Sequence, residues 1–184
     1  MRHVPPTTRP APLRLTWAVD GLDLSPSDDV IELGCGPGVA AGLAAARLTG
    51  GGTLLAVDRS PTAVERARQH LAAQVAAGTV QVLHSSLDGL RTEQRFDVAF
   101  AVNVNVFWTS DARAESQVLS TVLRPAASLH LVYDGPDGRA LTSAERAAAT
   151  LGRLGWTCSV LAHPTAPLAR VVAAHPPPPD RLDA

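Results

Sequence analysis

The sequence predicts an α/β fold: a doubly wound, mostly parallel seven-stranded sheet, covered by helices on both faces and closed by an antiparallel hairpin. Three observations predict it. Short apolar runs alternate with Ala- and Leu-rich helical stretches along most of the chain. The runs are near-continuous rather than alternating, as strands buried on both faces require. The last two runs are separated only by a short stretch containing Pro164 and Pro167, too little chain for a crossover, so they must pair antiparallel.

Leu13 to Leu22 reads as a short amphipathic helix ahead of the sheet. Asp29 to Leu33 is an apolar run ending at Gly34, and reads as the first strand. Val39 to Leu48 follows as a helix built from strong formers. Thr53 to Asp58 is the second buried strand. Ser60 is placed as an N-cap and Pro61 as a first helical residue; this helix is expected to continue through Ala77 and stop at Gly78. Val80 to Ser85 and Phe96 to Val104 are the third and fourth strands. A helix is expected from Asp111 to Leu123, with Pro125 just beyond its end, and then a fifth strand from Ala127 to Asp134. Thr142 or Ser143 can cap a helix running to about Leu154 and closed by Gly155. Trp156 to His163 and Ala169 to His175 form the hairpin.

These elements make one domain over residues 13–175 of the 184. Pro5, Pro6, Pro10 and Pro12 make residues 1–12 a flexible, extended arm, and Pro176 to Pro179 make residues 176–184 a disordered tail. The net charge is −1, from 16 basic and 17 acidic residues. All the basic residues are Arg and they are scattered, so no patch for nucleic acid is evident. No apolar run of membrane-spanning length occurs, and the two cysteines, Cys35 and Cys158, do not make a disulfide framework. The first residues lack the apolar segment of a secretory signal, so a cytoplasmic setting is expected.

Ligands of doubly wound sheets sit beyond the carboxyl ends of the strands, where the strand order reverses. The first loop there is Glu32-Leu33-Gly34-Cys35-Gly36-Pro37-Gly38. Its alternate glycines let a ligand approach the main chain closely, and the helix after it points its N-terminal amides at the same place. Asp58 ends the second strand, and a carboxylate there can accept hydrogen bonds from both hydroxyls of a ribose. Glu32 and Asp58 are thus two acids at adjacent strand ends.

At this point VIELGCGPG and AVDRSPTAVERAR resemble the first two motifs of the class I S-adenosylmethionine-dependent methyltransferases, and FDVAF and LRPAASLHLVY resemble the fourth and fifth. The resemblance implies a Rossmann-like methyltransferase fold with three αβα layers. It implies that Gly34, Cys35, Gly36 and Gly38 line the methionine portion of S-adenosylmethionine and that Glu32 orients it. Asp58 would hold the ribose, with Arg59 and Ser60 beside it and Arg59 flanking the adenine. After the third strand the family often carries Gly-Asp-Ala, whose acid contacts the adenine amino group. This chain has Ser85-Ser86-Leu87 instead, with Asp88 two places later, so Ser86 and the Leu87 amide are the expected contacts.

After the fourth strand, alternation puts Asn103 and Asn105 on one face, Asn103 toward the cofactor and Asn105 toward the acceptor. Trp108 is expected to face the cleft, and Tyr133 to shape the acceptor pocket or pack in the core. The Asn/Asp-Pro-Pro-Tyr/Phe motif of DNA and protein-amide methyltransferases is absent here, which argues against adenine-N6 and glutamine acceptors. His84, His130 and His163 are the candidate bases, none assigned; no catalytic residue and no metal ligand is proposed. With no long insertion to serve as a lid, the acceptor site is expected to be open or completed by a second copy in a homodimer, and a small-molecule acceptor is favoured. Two other readings remain. A non-catalytic partner module could keep the cofactor cleft. An NAD(P)-dependent oxidoreductase would share the Gly turn and the acid, but needs Gly-x-Gly-x-x-Gly, whose last position is Val39 here.

Overall fold

Seven strands lie side by side in the order β3-β2-β1-β4-β5-β7-β6. They are β1 (Val30–Leu33), β2 (Leu54–Asp58), β3 (Val80–His84), β4 (Phe96–Val102), β5 (Leu123–Asp134), β6 (Thr157–Ala162) and β7 (Leu168–Ala174). The structure is a computed structural model that describes residues 10–174. The Pro-rich arm, apart from Pro10 to Pro12, and the Pro-rich tail lie outside the described residues. The first five strands pair in parallel and β7 runs antiparallel to both β5 and β6. The fold is the expected doubly wound one with a closing hairpin. Among the described residues no helix is long and apolar enough to cross a membrane.

The helices are α1 (Leu13–Asp20), α2 (Val39–Ala45), α3 (Pro61–His70), α4 (Ala72–Ala76), α5 (Val106–Thr109), α6 (Arg113–Val122) and α7 (Arg139–Arg153). All four residues of β1 are buried, as a strand covered on both faces must be. Val30 joins a core with Val19, Ala41 and Leu71 from α1, α2 and the end of α3. Ile31 and Leu33 join the other core with Phe107, Leu119 and Leu151 from α5, α6 and α7. Glu32 falls on the Val30 side of the strand, which brings a carboxyl under α2.

Several boundaries differ from the sequence-based expectation, each for a local reason. The single helix expected from Pro61 to Ala77 is divided at Leu71, whose φ of −100° and ψ of 15° leave the helical range. Leu71 is fully buried there, and a Cβ on Gly38 would lie 2.8 Å from its Cδ1. Packing against α2 thus outweighs continued helix propensity. At the other end of α3 the expected cap is present: Ser60 Oγ accepts the Ala63 N–H, with Pro61 next. Leu123 does not end a helix but begins β5, and Pro125 lies within that strand. The pairing slips between Phe96↔Leu123 and Val98↔Ser128, an irregularity where a residue without an N–H is tolerated. α7 starts at Arg139 rather than Thr142, because Asp137 and Gly138 both take positive φ and turn the chain early.

α1 is held to the sheet by arginines. The Arg170 guanidinium of β7 donates to the Trp17 and Ala18 carbonyls and stacks 4.5 Å from the Trp17 ring centroid. Arg47 donates to the Val19 carbonyl at 2.9 Å and pairs with Asp20. These cations satisfy carbonyls that a helix C-terminus leaves open. Gly21 leaves room for this packing, since a Cβ there would sit 1.4 Å from Arg170 Nη1 and displace the guanidinium.

His130 lies buried on β5, with Nε2 2.9 Å from Ser128 Oγ and Nδ1 without a partner. Burial, and then the Arg170 charge, hold its pKa at about 4 instead of 6.5. Between those values the unfolded chain binds a proton that the folded chain does not. The contribution is therefore whole above pH 6.5 and is lost as pH falls through about 4. Denaturant titrations should show about 3 kcal/mol lost across this window beyond the loss in His130→Gln. Equal pH slopes for the two proteins would contradict the assignment.

Candidate functional site

The strand order reverses between β1 and β4, and two adjoining cavities open beyond the carboxyl ends of these strands. One measures about 480 Å³ and is lined by the ends of β2, β3 and β4, including Asp58, Arg59, Ser86, Leu87 and Asn105. The other measures about 370 Å³ and is lined by Arg14, Glu32, Cys35, Gly36 and Ala40, among others. Gly34, Val102 and Asn103 line both, so the two spaces meet over the glycine turn.

The turn is pinned to β2. The Val57 carbonyl accepts the N–H groups of Gly34 and Cys35, at 2.8 and 2.9 Å. Asp58 Oδ2 accepts the Gly36 N–H at 2.8 Å, and Asp58 Oδ1 accepts the Ser60 N–H at 2.8 Å. One carboxylate thus ties both loops together, and each of its oxygens keeps a lone pair for a further donor. Gly36 takes φ +52°, a backbone conformation that favours glycine, and a Cβ there would meet no protein atom within 4 Å and would project into open space.

Glu32 is 2 % exposed, and its Oε2 has no hydrogen-bond partner. Burial raises its pKa to about 8; a bond from the Ala41 amide works against the rise and the Asp58 charge adds to it. An orphaned, buried carboxyl oxygen on a residue that lines a cavity is open to a donor from outside the chain, a water or a ligand. Cys35 lines the same cavity, but burial, with the Glu32 and Asp58 charges, pushes its thiol up to about 12. It stays a protonated wall residue rather than a nucleophile.

The remaining expected residues divide. Arg59, Leu87, Asn103 and Asn105 line the larger cavity. Asn103 and Asn105 do not share a strand face, because Asn103 turns to φ +58° and ends the strand. Its side chain instead pairs with Asp134, donating from Nδ2 to Oδ1 at 2.8 Å and accepting the Asp134 N–H at 3.0 Å. Ser86 lines the cavity, but its Oγ accepts the Gly89 N–H and bonds to Asp88, so it serves its own turn. Asp88 is thereby held at this exposed turn and does not line the cavity. Ser60 and Gly38 shape the loops as the N-caps of α3 and α2 and line neither cavity.

Trp108 corrects the expectation, and Tyr133 takes the core position of its two alternatives. Trp108 does not face the cleft: the chain turns into α5 after Asn105, and the indole packs against the α5–α7 core with a buried Nε1. Tyr133 is 2 % exposed in the same core, its hydroxyl donating to the Val104 carbonyl at 3.3 Å. Both support the loop from behind. Among the described residues no histidine lines either cavity. His84 Nε2 lies 3.0 Å from the Arg59 carbonyl, His130 is buried on β5, and His163 Nδ1 accepts the Thr165 and Ala166 amides. Sequence reasoning missed Arg14 in the smaller cavity and Thr109 and Glu115 in the larger. The first-turn acid of α6 was visible as a residue, but not the fold that aims it at the cleft.

Comparison with known proteins agrees with this geometry. Residues 30–126 match the family model described as "Methyltransferase domain". An uncharacterised 37.1 kDa protein in transposon TN4556 of Streptomyces fradiae is 32% identical over 131 residues, 67% of this chain; the chain spans about a third (34%) of that relative's length. Similar solved folds include a SAM-dependent methyltransferase from Aquifex aeolicus, with TM-score 0.71 and 18% identity over 86% of this chain and 88% of that one. A SAM-dependent O-methyltransferase from Thermotoga maritima gives TM-score 0.68 and 14% identity over 91% and 67%. The [4+2]-cyclase SpnF gives 0.71 and 14% over 88% and 80%. With the family model matched over more than half of its length, the chain belongs to the methyltransferase-domain family, and its fold is the one shared by these solved class I S-adenosylmethionine-dependent methyltransferases.

Proposed function

We propose that this chain binds S-adenosylmethionine across the two joined cavities and directs its methyl group to a small-molecule acceptor. One observation carries the reading: the cavities meet over Gly34, Asp58 lines only the larger, and Glu32, with its orphaned oxygen, lines only the smaller. That arrangement suits a ligand with a ribose at one end and an ammonium at the other. Asp58 accepts from the ribose hydroxyls with the lone pairs left free by Gly36 and Ser60. Leu87 and Arg59 border the base, and Glu32 receives the ammonium. The bound cofactor supplies a methyl group on a charged sulfur, a leaving group already activated.

The protein's own contribution is alignment. Oriented reactants gain on the order of 7–11 kcal/mol over free ones. The backbone of the glycine turn and Asn103, fixed by its two hydrogen bonds with Asp134, are rigid walls for this purpose. With every histidine among the described residues engaged or placed away from the cavities, this reading takes no proton through those imidazoles. The [4+2]-cyclase among the structural neighbours is a reminder that fold alone does not set the reaction.

The test pairs binding with turnover. S-adenosylhomocysteine should raise the melting temperature and NADH should not. Methyl-labelled S-adenosylmethionine, screened against a metabolite panel, should yield labelled product from at least one acceptor. A rise with NADH alone would support the oxidoreductase reading. Binding without transfer to any acceptor would support the partner-module reading.

A further inference from the structure

Arg14 stands in the first turn of α1, outside the residues matched to the family model, and lines the same cavity as Glu32 and the Gly34–Pro37 turn. Its Nε lies 3.5 Å from Asp134 Oδ2. Asp134 is fixed from its other side by the two hydrogen bonds with Asn103. The guanidinium therefore presents one N–H to Asp134. Its two terminal nitrogens carry no hydrogen bond or ion pair among the described residues. On another wall of the same cavity stands Glu32 Oε2, a buried oxygen without a donor on a residue 2 % exposed.

A cavity with an unpaired carboxyl oxygen on one wall and a half-free guanidinium on another complements an α-amino acid. The ammonium of such a group donates, and its carboxylate accepts two parallel N–H bonds from a guanidinium fork. We propose that Arg14 is the residue that recognises the amino-acid carboxylate of the bound S-adenosyl ligand, with Asp134 and Asn103 as positioning residues. The inference rests on the reading of this cleft as an S-adenosyl site. It also explains the clamping of α1. Arg170 and Arg47 hold the last turn of that helix to the sheet, and this fixes the first turn over the cavity.

The commitment is to the cofactor's own carboxylate rather than to one on an acceptor, because Arg14 shares its cavity with Glu32 and the glycine turn. Two ligands separate these sources. S-adenosylhomocysteine carries the amino-acid end, and 5′-methylthioadenosine has the same nucleoside and sulfur without it. Calorimetric titration of the full chain should show tighter binding of S-adenosylhomocysteine. In Arg14→Ala and Arg14→Gln that ligand should lose about 10–100-fold in affinity, the scale of a charge-assisted pair, while 5′-methylthioadenosine stays within about twofold. Arg14→Lys should recover part of the loss. Because the Arg14 side chain is 41% exposed, melting of the ligand-free variants should match wild type. An equal loss for both ligands, or no loss for either, overturns the assignment of Arg14. Failure of both ligands to bind the wild-type chain overturns the S-adenosyl reading itself.

Discussion

Asp58→Ala is expected to weaken S-adenosylhomocysteine binding by about a hundredfold or more, the largest effect of any single side chain in the cleft. The carboxylate has two tasks. It holds the Gly36 and Ser60 amides at 2.8 Å each, and it presents its remaining lone pairs to the larger cavity. On the proposed binding mode its removal would delete two charge-assisted bonds to the ribose, each worth about 1.5–3 kcal/mol, and the tie from β2 to the Gly36 amide. 5′-methylthioadenosine, which retains the ribose, must lose affinity in parallel. That parallel loss separates Asp58 from Arg14, whose effect is confined to the ligand with an amino-acid end. Asp58→Asn keeps one oxygen but turns an amide group toward a loop N–H, so it should bind nearly as poorly. A variant that melts normally and still binds within threefold of wild type would remove Asp58 from the site.

The second large effect is a pH dependence centred on Glu32. In the free protein burial holds this carboxyl at about 8, so at pH 7 it is mostly protonated. A ligand ammonium against Oε2 favours the ionised form, so binding must release a proton. The sign follows directly. Below about pH 8 each unit of rising pH should tighten S-adenosylhomocysteine binding by up to tenfold, and above it the dependence should flatten. Calorimetry in buffers of different ionisation enthalpy should count close to one proton released near pH 6.5. Glu32→Gln should abolish both the release and the slope while lowering affinity by about tenfold or more at pH 8. A slope unchanged in Glu32→Gln would assign the proton to another group.

How much of this was legible in the sequence depended on the range of the interaction that set each feature. The strands β1 and β2 were readable because a strand buried on both faces must be apolar throughout, and VIEL and LLAVD are, but for one acid in each. The Ser60 cap and Pro61 were readable because capping acts within one turn. The break at Leu71 was not, since it answers to Gly38 and α2, more than twenty residues back in the chain. The inward face of Trp108 was hidden for a related reason: its place after the strand end does not show that α5 forms there and turns the indole into the core.

The site divided in the same way. Gly34 to Pro37 and Asp58 lie at strand ends whose role the strand order dictates, so their spacing exposed them. Arg14 looked like one scattered arginine among sixteen. Only the docking of α1, held by Arg170 from the far end of the chain and by Arg47, brings it to the cavity. Glu115 likewise reaches the larger cavity only because α5 turns the chain before α6 begins.

The most direct measurement is a crystal structure of the chain with S-adenosylhomocysteine. The ribose hydroxyls should lie within hydrogen-bond distance of Asp58, the sulfur over Gly34 between the two cavities, and the amino-acid end between Glu32 and Arg14. A nucleoside bound elsewhere on the sheet, or one reversed so that its base lies beside Glu32, would contradict the account.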